Sequence, residues 1–223
     1  LSSPASDKDE GKHLEYMIDD DITTYWHSDW HGEYSGQHYV QIDLAEETTG
    51  YYQLVFGRRN NSNTGQVTQM LVQQSVDGNT WEDVKTLPME WNGDEDMGKY
   101  VISDFFRLSH ATHLRLTAVK CNTEWAMWHC AEMQIYKGDE EAALPSAIDD
   151  LLMRYTDYLP YNPKEFNIGT GFNQYSDTEA WEAFQADMAT AQRYSDILYD
   201  GGTVSNDDIR AIIDKVDADY RAI

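Results

Sequence analysis

Basic residues are scarce in this chain. Sixteen lysines and arginines stand against 40 aspartates and glutamates, a formal net charge of -24 over 223 residues. A protein that works by neutralising nucleic-acid phosphates or by gripping an anionic membrane is therefore not expected. Partners should be neutral, cationic, or bridged by a metal ion. Cysteine is scarcer still, with only Cys121 and Cys130 flanking a loop. Two readings stay open: a disulfide closing a hairpin, which suits an oxidising compartment and is preferred, or two buried thiols. A zinc site would need more ligands than this pair and His129. Long apolar runs are missing too. None approaches the roughly 20 residues that span a bilayer, and Leu1-Ser2-Ser3-Pro4 is not a charged-then-apolar leader. The chain is expected to be soluble and without a transmembrane segment, with residues 1–12 a polar lead-in. There is no internal repeat and no low-complexity tract. What is present, 41% apolar and 13% aromatic residues, excludes a wholly disordered chain and suffices for a core.

Residues 38–136 have the grammar of strands. His38–Leu44 alternates with period two, Tyr51–Phe56 is rich in aromatic and β-branched residues, and Val67–Ser75 alternates before the turn dipeptide Asp77-Gly78. The pattern resumes at Trp81 and Val84, then at Lys99–Ser103, His113–Val119 and Ala131–Tyr136. About eight short strands punctuated by glycine and asparagine loops predict an antiparallel sandwich or barrel. At Gly138-Asp139-Glu140-Glu141 the period changes. From Pro145 onward three helical stripes follow: Ile148, Leu151, Leu152, Tyr155 and Leu159; Trp181, Phe184, Met188, Ala191 and Leu198; Ile209, Ile212, Ile213, Val216 and Tyr220. Ser176-Asp177-Thr178-Glu179 reads as a capping box, Gly201-Gly202 as a stop, and Ser205 with Asp207 and Asp208 as a charged cap. The expected organisation is a β-sandwich over 13–141 followed by a small three-helix bundle over 142–223. Both sides of that boundary are acidic: residues 1–141 have 10 basic against 25 acidic residues and residues 142–223 have 6 against 15. Neither is a hidden basic module.

Ile18-Asp19-Asp20-Asp21-Ile22-Thr23-Thr24-Tyr25-Trp26-His27 delivers charge and aromatic bulk in blocks, which suits a turn rather than a helix face or a strand. Hard cations take six to eight oxygens from carboxylates, hydroxyls and carbonyls. A loop carrying Asp19, Asp21 and Thr24 can present several at once, and a solvated acidic turn is the plainer alternative.

Four blocks in order carry a resemblance: Ile18 to Ser28, Tyr39-Val40-Gln41-Ile42-Asp43-Leu44, Ser75-Val76-Asp77-Gly78-Asn79-Thr80-Trp81, and Ala131-Glu132-Met133-Gln134-Ile135-Tyr136. Together they resemble the discoidin or coagulation factor V/VIII type C domains over about residues 10–138, closest to the family 32 carbohydrate-binding modules. Asp20 departs from the family, which usually has glycine in its Asp-Gly-Asp turn. The resemblance implies a β-sandwich of about eight strands and a structural calcium ion. Its ligands would be the Tyr16 carbonyl, the Asp19 carboxylate, the Asp21 carbonyl, Thr24 through carbonyl and hydroxyl, the Ala131 carbonyl and the Glu132 carboxylate. It also implies a sugar site in the loops at one end, built from a histidine, an arginine followed five residues later by an asparagine, and a late-loop aromatic.

On this chain those roles map onto His27, with His31 second to it, onto Arg58 with Asn63, and onto Trp125 or Trp128. Arg59 would pair with Thr64 and fits the spacing less well. Guanidinium, amide and imidazole groups sort sugar hydroxyls by direction, and an aromatic face packs the C–H face of the ring. Each residue has a plainer reading. Arg58 would pair with a surface acid, Trp128 would plug the sandwich, and Trp26 and Trp81 are expected in the core. The helical part loosely resembles the "found in various architectures" three-helix modules, through Gly169-Thr170-Gly171-Phe172 and Gln174-Tyr175-Ser176. Its expected role is spacer, or else docking to a protein partner. The resemblance thus implies a non-catalytic glycan-binding module, secreted or on a bacterial surface. The alternative is an adhesion module that binds another protein and has lost its sugar site.

Overall fold

Alternation of apolar residues puts Val40, Leu54 and Phe56 on one face of a single long strand, and that strand organises the first half of the chain. In the computed structural model, which describes residues 1–6, 13–124, 127–156 and 178–222, the strands are β1 (Trp26–His27), β2 (Tyr39–Gly57), β3 (Val67–Ser75), β4 (Glu82–Pro88), β5 (Tyr100–Ile102), β6 (Phe106–Cys121), β7 (His129–Cys130) and β8 (Glu132–Lys137). All pairings are antiparallel. The larger sheet runs β4-β3-β6-β2-β5 with β8 also on β2, while β1 and β7 form a separate ribbon. Two stretches expected as separate strands, His38–Leu44 and Tyr51–Phe56, are continuous in β2. Register shifts between Asp43 and Gly50 absorb the polar segment between them.

That strand changes partners along its length. Residues 39–52 pair with β6, residues 52–57 pair with β8, and of these residues 55–57 also pair with β5 on the other side. One strand therefore serves both layers, and a single core cluster gathers Val40, Leu54 and Phe56 with Met70, Val72, Leu114 and Leu116 from one layer and Met133 from the other. Trp26 and Trp128, both fully buried, meet edge to face at 4.9 Å between ring centroids and close this core beneath the ribbon.

Several expectations need correction. Residues 1–6 are not a loose lead-in: Ser2 exchanges backbone hydrogen bonds with Gln41, Ser6 bridges to Ser28, and Ala5 is buried. Residues 7–12 lie outside the described residues. Cys121 and Cys130 are not a disulfide. Both are free and buried, with their thiols donating to the carbonyls of Met127 and Glu132, and burial pushes the Cys121 thiol up to about 12. Trp81 is only part-buried, outside the core, and stacks on the Arg115 guanidinium at 3.9 Å.

Two compact units, Leu1–Gly138 and Asp139–Ile223, divide the chain. The second contains α1 (Glu140–Tyr155), α2 (Thr178–Tyr199) and α3 (Asn206–Ala222). α1 starts before Pro145, because the Asp139 carboxylate accepts the Glu141 N–H and caps it there. Most of the stripe residues are buried, Ile148, Leu151, Leu152 and Tyr155 with Trp181, Phe184, Met188 and Ala191 and with Ile209, Ile212, Ile213 and Val216, whereas Leu198 and Tyr220 near the ends of α2 and α3 are only half-buried. Gly201 at φ 78 and the Gly202 N–H on the Ile197 carbonyl end α2. Ser205 caps α3 through the Asp208 N–H at 3.1 Å. Leu159, Gly169–Ser176 and the first half of the capping box lie outside the described residues.

Candidate functional site

The acidic stretch forms a tight turn that follows a short 3-10 helix, Leu14–Met17. Asp20 sits at φ 61, the backbone region that a glycine would occupy without strain. The Asp19 carboxylate accepts the Asp21 N–H at 3.0 Å and the Thr24 hydroxyl at 2.8 Å, and the Asp21 carbonyl accepts the same hydroxyl at 2.9 Å. The Asp21 carboxylate is turned away toward Thr23, whose hydroxyl and N–H hold it below the usual carboxylate range. Only its carbonyl is left for the inside of the turn.

This turn lies against the start of β8. A Cβ on Gly57 would come within 2.7 Å of the Ile22 side chain and 2.8 Å of Glu132 Cβ, so the glycine is what allows the approach. Glu132 is buried; its Oε1 accepts the Met133 N–H at 3.2 Å while its Oε2 has no hydrogen-bond partner. Burial and then the neighbouring Asp20 and Asp19 charges raise its pKa, partly offset by backbone N–H groups of Met133 and Asp20. A buried carboxylate oxygen without a partner, beside Asp19, fits a hard cation better than it fits an apo protein. Ala131 is buried next to it, its N–H on the Gly57 carbonyl, and Tyr16 is half-buried in the preceding 3-10 helix. Among the described residues no three His, Cys, Asp or Glu side chains converge as a metal site. An ion here would rely on two carboxylates and otherwise on hydroxyl and carbonyl oxygens.

A second feature is a cleft of about 310 Å³ lined by Tyr25, His27, Trp30, Arg59, Ser62, Thr64 and Met127. β1 carries His27 into it, and the loop after β2 carries Arg59 to Thr64. The Arg59 guanidinium lies over the Tyr25 ring at 4.1 Å, and its Nε donates to the Asn61 side chain. The exposed Trp30 adds an indole face. His27 Nδ1 donates to the Ser28 carbonyl, which fixes its ring. Behind it, fully buried His129 donates from Nε2 to the Thr64 carbonyl at 2.6 Å and so holds the far wall of the cleft. Burial lowers the His129 pKa to about 3, and its Nδ1 has no partner.

Of the sugar-site residues expected from the sequence, His27 alone among the described ones lines the cleft. Arg58 is fully buried, its guanidinium donating to the carbonyls of Val67 at 3.1 Å, Met89 at 3.0 Å and Glu90 at 2.5 Å. It ties loops together and presents nothing to solvent. Strand parity explains this: Leu54, Phe56 and Arg58 share the inner face, and Arg59 is the residue that turns outward. Trp128 is fully buried between Trp26 and Phe56, its indole N–H on the His38 carbonyl, and is the plug. Asn63 is exposed but faces Asp94, donating at 3.0 Å, and does not line the cleft. His31 packs on Trp30 outside the lining. Trp125 lies outside the described residues. Tyr25, Trp30, Ser62 and Met127 were missed; Arg59 and Thr64, the pair whose spacing fits less well, do line the cleft, and only the parity of β2 could have moved the choice to them from Arg58.

Fold and cleft together define an antiparallel β-sandwich module with a concave loop site, attached to a helical unit. The F5/8 type C domain model matches residues 2–133, and the chain belongs to that family. Among solved structures it is similar to a family 32 carbohydrate-binding module from Clostridium perfringens in complex with GalNAc-β-1,3-galactose. That match has 19% identity and a TM-score of 0.50, covering 60% of this chain and 92% of that one. It is also similar to such a module from a family 31 glycoside hydrolase of Clostridium perfringens, at 24% identity and a TM-score of 0.50, covering 62% and 89%. At these identities the likeness shows the fold. No curated protein matches the chain significantly.

Proposed function

We propose that the sandwich unit is a non-catalytic glycan-binding module, acting outside the cell, whose site is the cleft between Trp30 and Arg59. The observation that carries the reading is the chemistry of that lining. An exposed indole, a guanidinium and an imidazole face one concave space, the combination that packs a sugar's C–H face and sorts its hydroxyls. The described lining residues include no carboxylate, so the two acids that flank a scissile glycosidic bond in most glycosidases have no counterpart there. No helix among the described residues is long and apolar enough to cross a membrane. A site of this size gains little apolar burial, so single-site binding is weak and rises through multivalency or a linked partner.

The same reading includes a structural calcium ion held by the Asp19 and Glu132 carboxylates, Thr24, and the carbonyls of Tyr16, Asp21 and Ala131. Its contribution is positive charge that neutralises Glu132 and ties the early turn to β8. It performs no chemistry.

A glycan array on the wild type, Arg59→Ala and Trp30→Ala tests the site. Wild type is expected to retain a defined subset of glycans, and each variant to lose about tenfold or more in affinity while melting at the wild-type temperature. Undiminished glycan binding by Arg59→Ala and Trp30→Ala overturns the cleft as the site. Retention of no glycan by the wild type overturns the function.

A further inference from the structure

On the small layer formed by β5, β2 and β8, the outer face is largely exposed among the described residues of the sandwich unit. The pairings Val55↔Ile102 and Val55↔Gln134, Gly57↔Tyr100 and Gln53↔Tyr136 place these residues on one face, opposite the buried Leu54, Phe56 and Met133. The Asp19–Thr24 turn covers one end of that face, where Ile22 closes over Gly57. Beyond it Tyr100, Ile102 and Tyr136 stay 49%, 66% and 55% exposed. Large apolar groups this open on one sheet face mark contact surfaces in soluble proteins.

The rim of the face is acidic. Gln134 donates to the Asp20 carboxylate at 3.3 Å and accepts the Tyr136 hydroxyl at 2.5 Å, which joins the turn to the tyrosine. Glu132, Asp20 and Asp21 lie close enough to Tyr100 to add to the upward pull of burial on its phenol. Asp104 is exposed just past β5. The nearest lysines in sequence, Lys99 and Lys137, have the opposite strand parity, and Lys99 sits 4.0 Å from Asp96. Neither the Asp20 nor the Asp21 side chain belongs to the proposed calcium ligands, so both charges remain with the ion in place.

We propose that this face is a docking surface for a cationic, apolar segment of a partner protein. Arginine or lysine side chains would seat on the Tyr100 and Tyr136 rings beside the Asp20 carboxylate, and apolar side chains on Ile102 and Val55. The charge argues against the other occupants. A second copy brings its own -24 to the contact, and nucleic acid or an anionic membrane meets the same repulsion. The surface uses none of the residues of the glycan cleft and does not depend on that function.

An NMR titration of the full chain with a short synthetic peptide alternating arginine and valine, and with its glutamate–valine counterpart, tests the proposal. The arginine peptide is expected to shift the amides of residues 53–55, 100–102 and 134–136, and the glutamate peptide to shift none. Ile102→Lys should weaken binding at least tenfold. Val76→Lys, which adds the same charge at a residue 62% exposed elsewhere on the sandwich, should change it less than twofold. Near-UV circular dichroism of each variant confirms that the fold is kept. Equal weakening by both lysines, a shift map centred elsewhere, or equal binding of the glutamate peptide overturns the proposal. So does self-association of the free protein that Ile102→Lys abolishes, since the occupant is then a second copy.

Discussion

Arg58 and Arg59 are adjacent in sequence and opposite in consequence, because successive side chains at the end of a strand point to opposite sides. Arg58 is desolvated, which lowers its pKa, and its charge is tolerated only because loop carbonyls surround it. Removing it strands buried carbonyls, and Arg58→Ala should cost about 3–5 kcal/mol in urea denaturation, whereas Arg59→Ala should leave the midpoint in place. His129 makes a pH argument at the same scale. Burial lowers its pKa from the unfolded value of 6.5 to about 3, so the unfolded chain binds the extra proton first as the solution is acidified. Its contribution to stability is complete above pH 6.5 and falls by up to about 1.4 kcal/mol per pH unit toward pH 3. His129→Gln, which can still donate to the Thr64 carbonyl, should flatten that part of the profile. Denaturation midpoints from pH 7 down to pH 4, compared between the two proteins, check it. A wild-type slope unchanged in the variant would assign the loss to other groups.

At the scale of elements, the turn and β8 form one construction. Glu132 is costly to ionise where it sits, and Asp19 adds to the cost. In calcium-free solution Glu132→Gln should therefore melt at or above the wild-type temperature. With calcium at a hundredfold its dissociation constant, the wild type should gain about 2.7 kcal/mol and the variant far less. Melting curves in calcium and in a chelator read both effects, and a wild type indifferent to calcium would remove the ion from the proposal. The turn was legible in the sequence because its residues are contiguous and its chemistry unusual. The cleft was not. Its walls come from three loops far apart in the chain, and which of two adjacent arginines or two nearby tryptophans faces outward depends on parity and on what fills the core. Trp128 resembled a ligand-stacking residue only while its position under β1 and β7 was unknown. The free thiols have the same lesson: Cys121 and Cys130 flank a loop in sequence, yet each thiol finds a carbonyl instead of the other sulfur.

For the whole molecule, Gly138 ends one compact unit and Asp139 caps the first helix of the next, in the stretch where the apolar period of the sequence changes from two to 3.6. Each unit has its own buried cluster: the sandwich around Leu54, Phe56 and Trp128, the helices around Tyr155, Phe184 and Val216. Tyr155 donates to the Asp217 carboxylate at 2.8 Å and packs on Phe184, so the helical cluster is specified by its own side chains. A domain with its own core can fold by itself. Leu1–Gly138 expressed alone should melt cooperatively, keep its response to calcium, and bind the glycans the full chain binds with unchanged affinity. The full chain should show two transitions by calorimetry, only the sandwich's moving when calcium is added, because the ligands proposed for the ion lie within the first unit. A single transition that shifts as a whole would mean that the two cores fold as one cooperative system, and the helices would then contribute directly to the stability of the cleft.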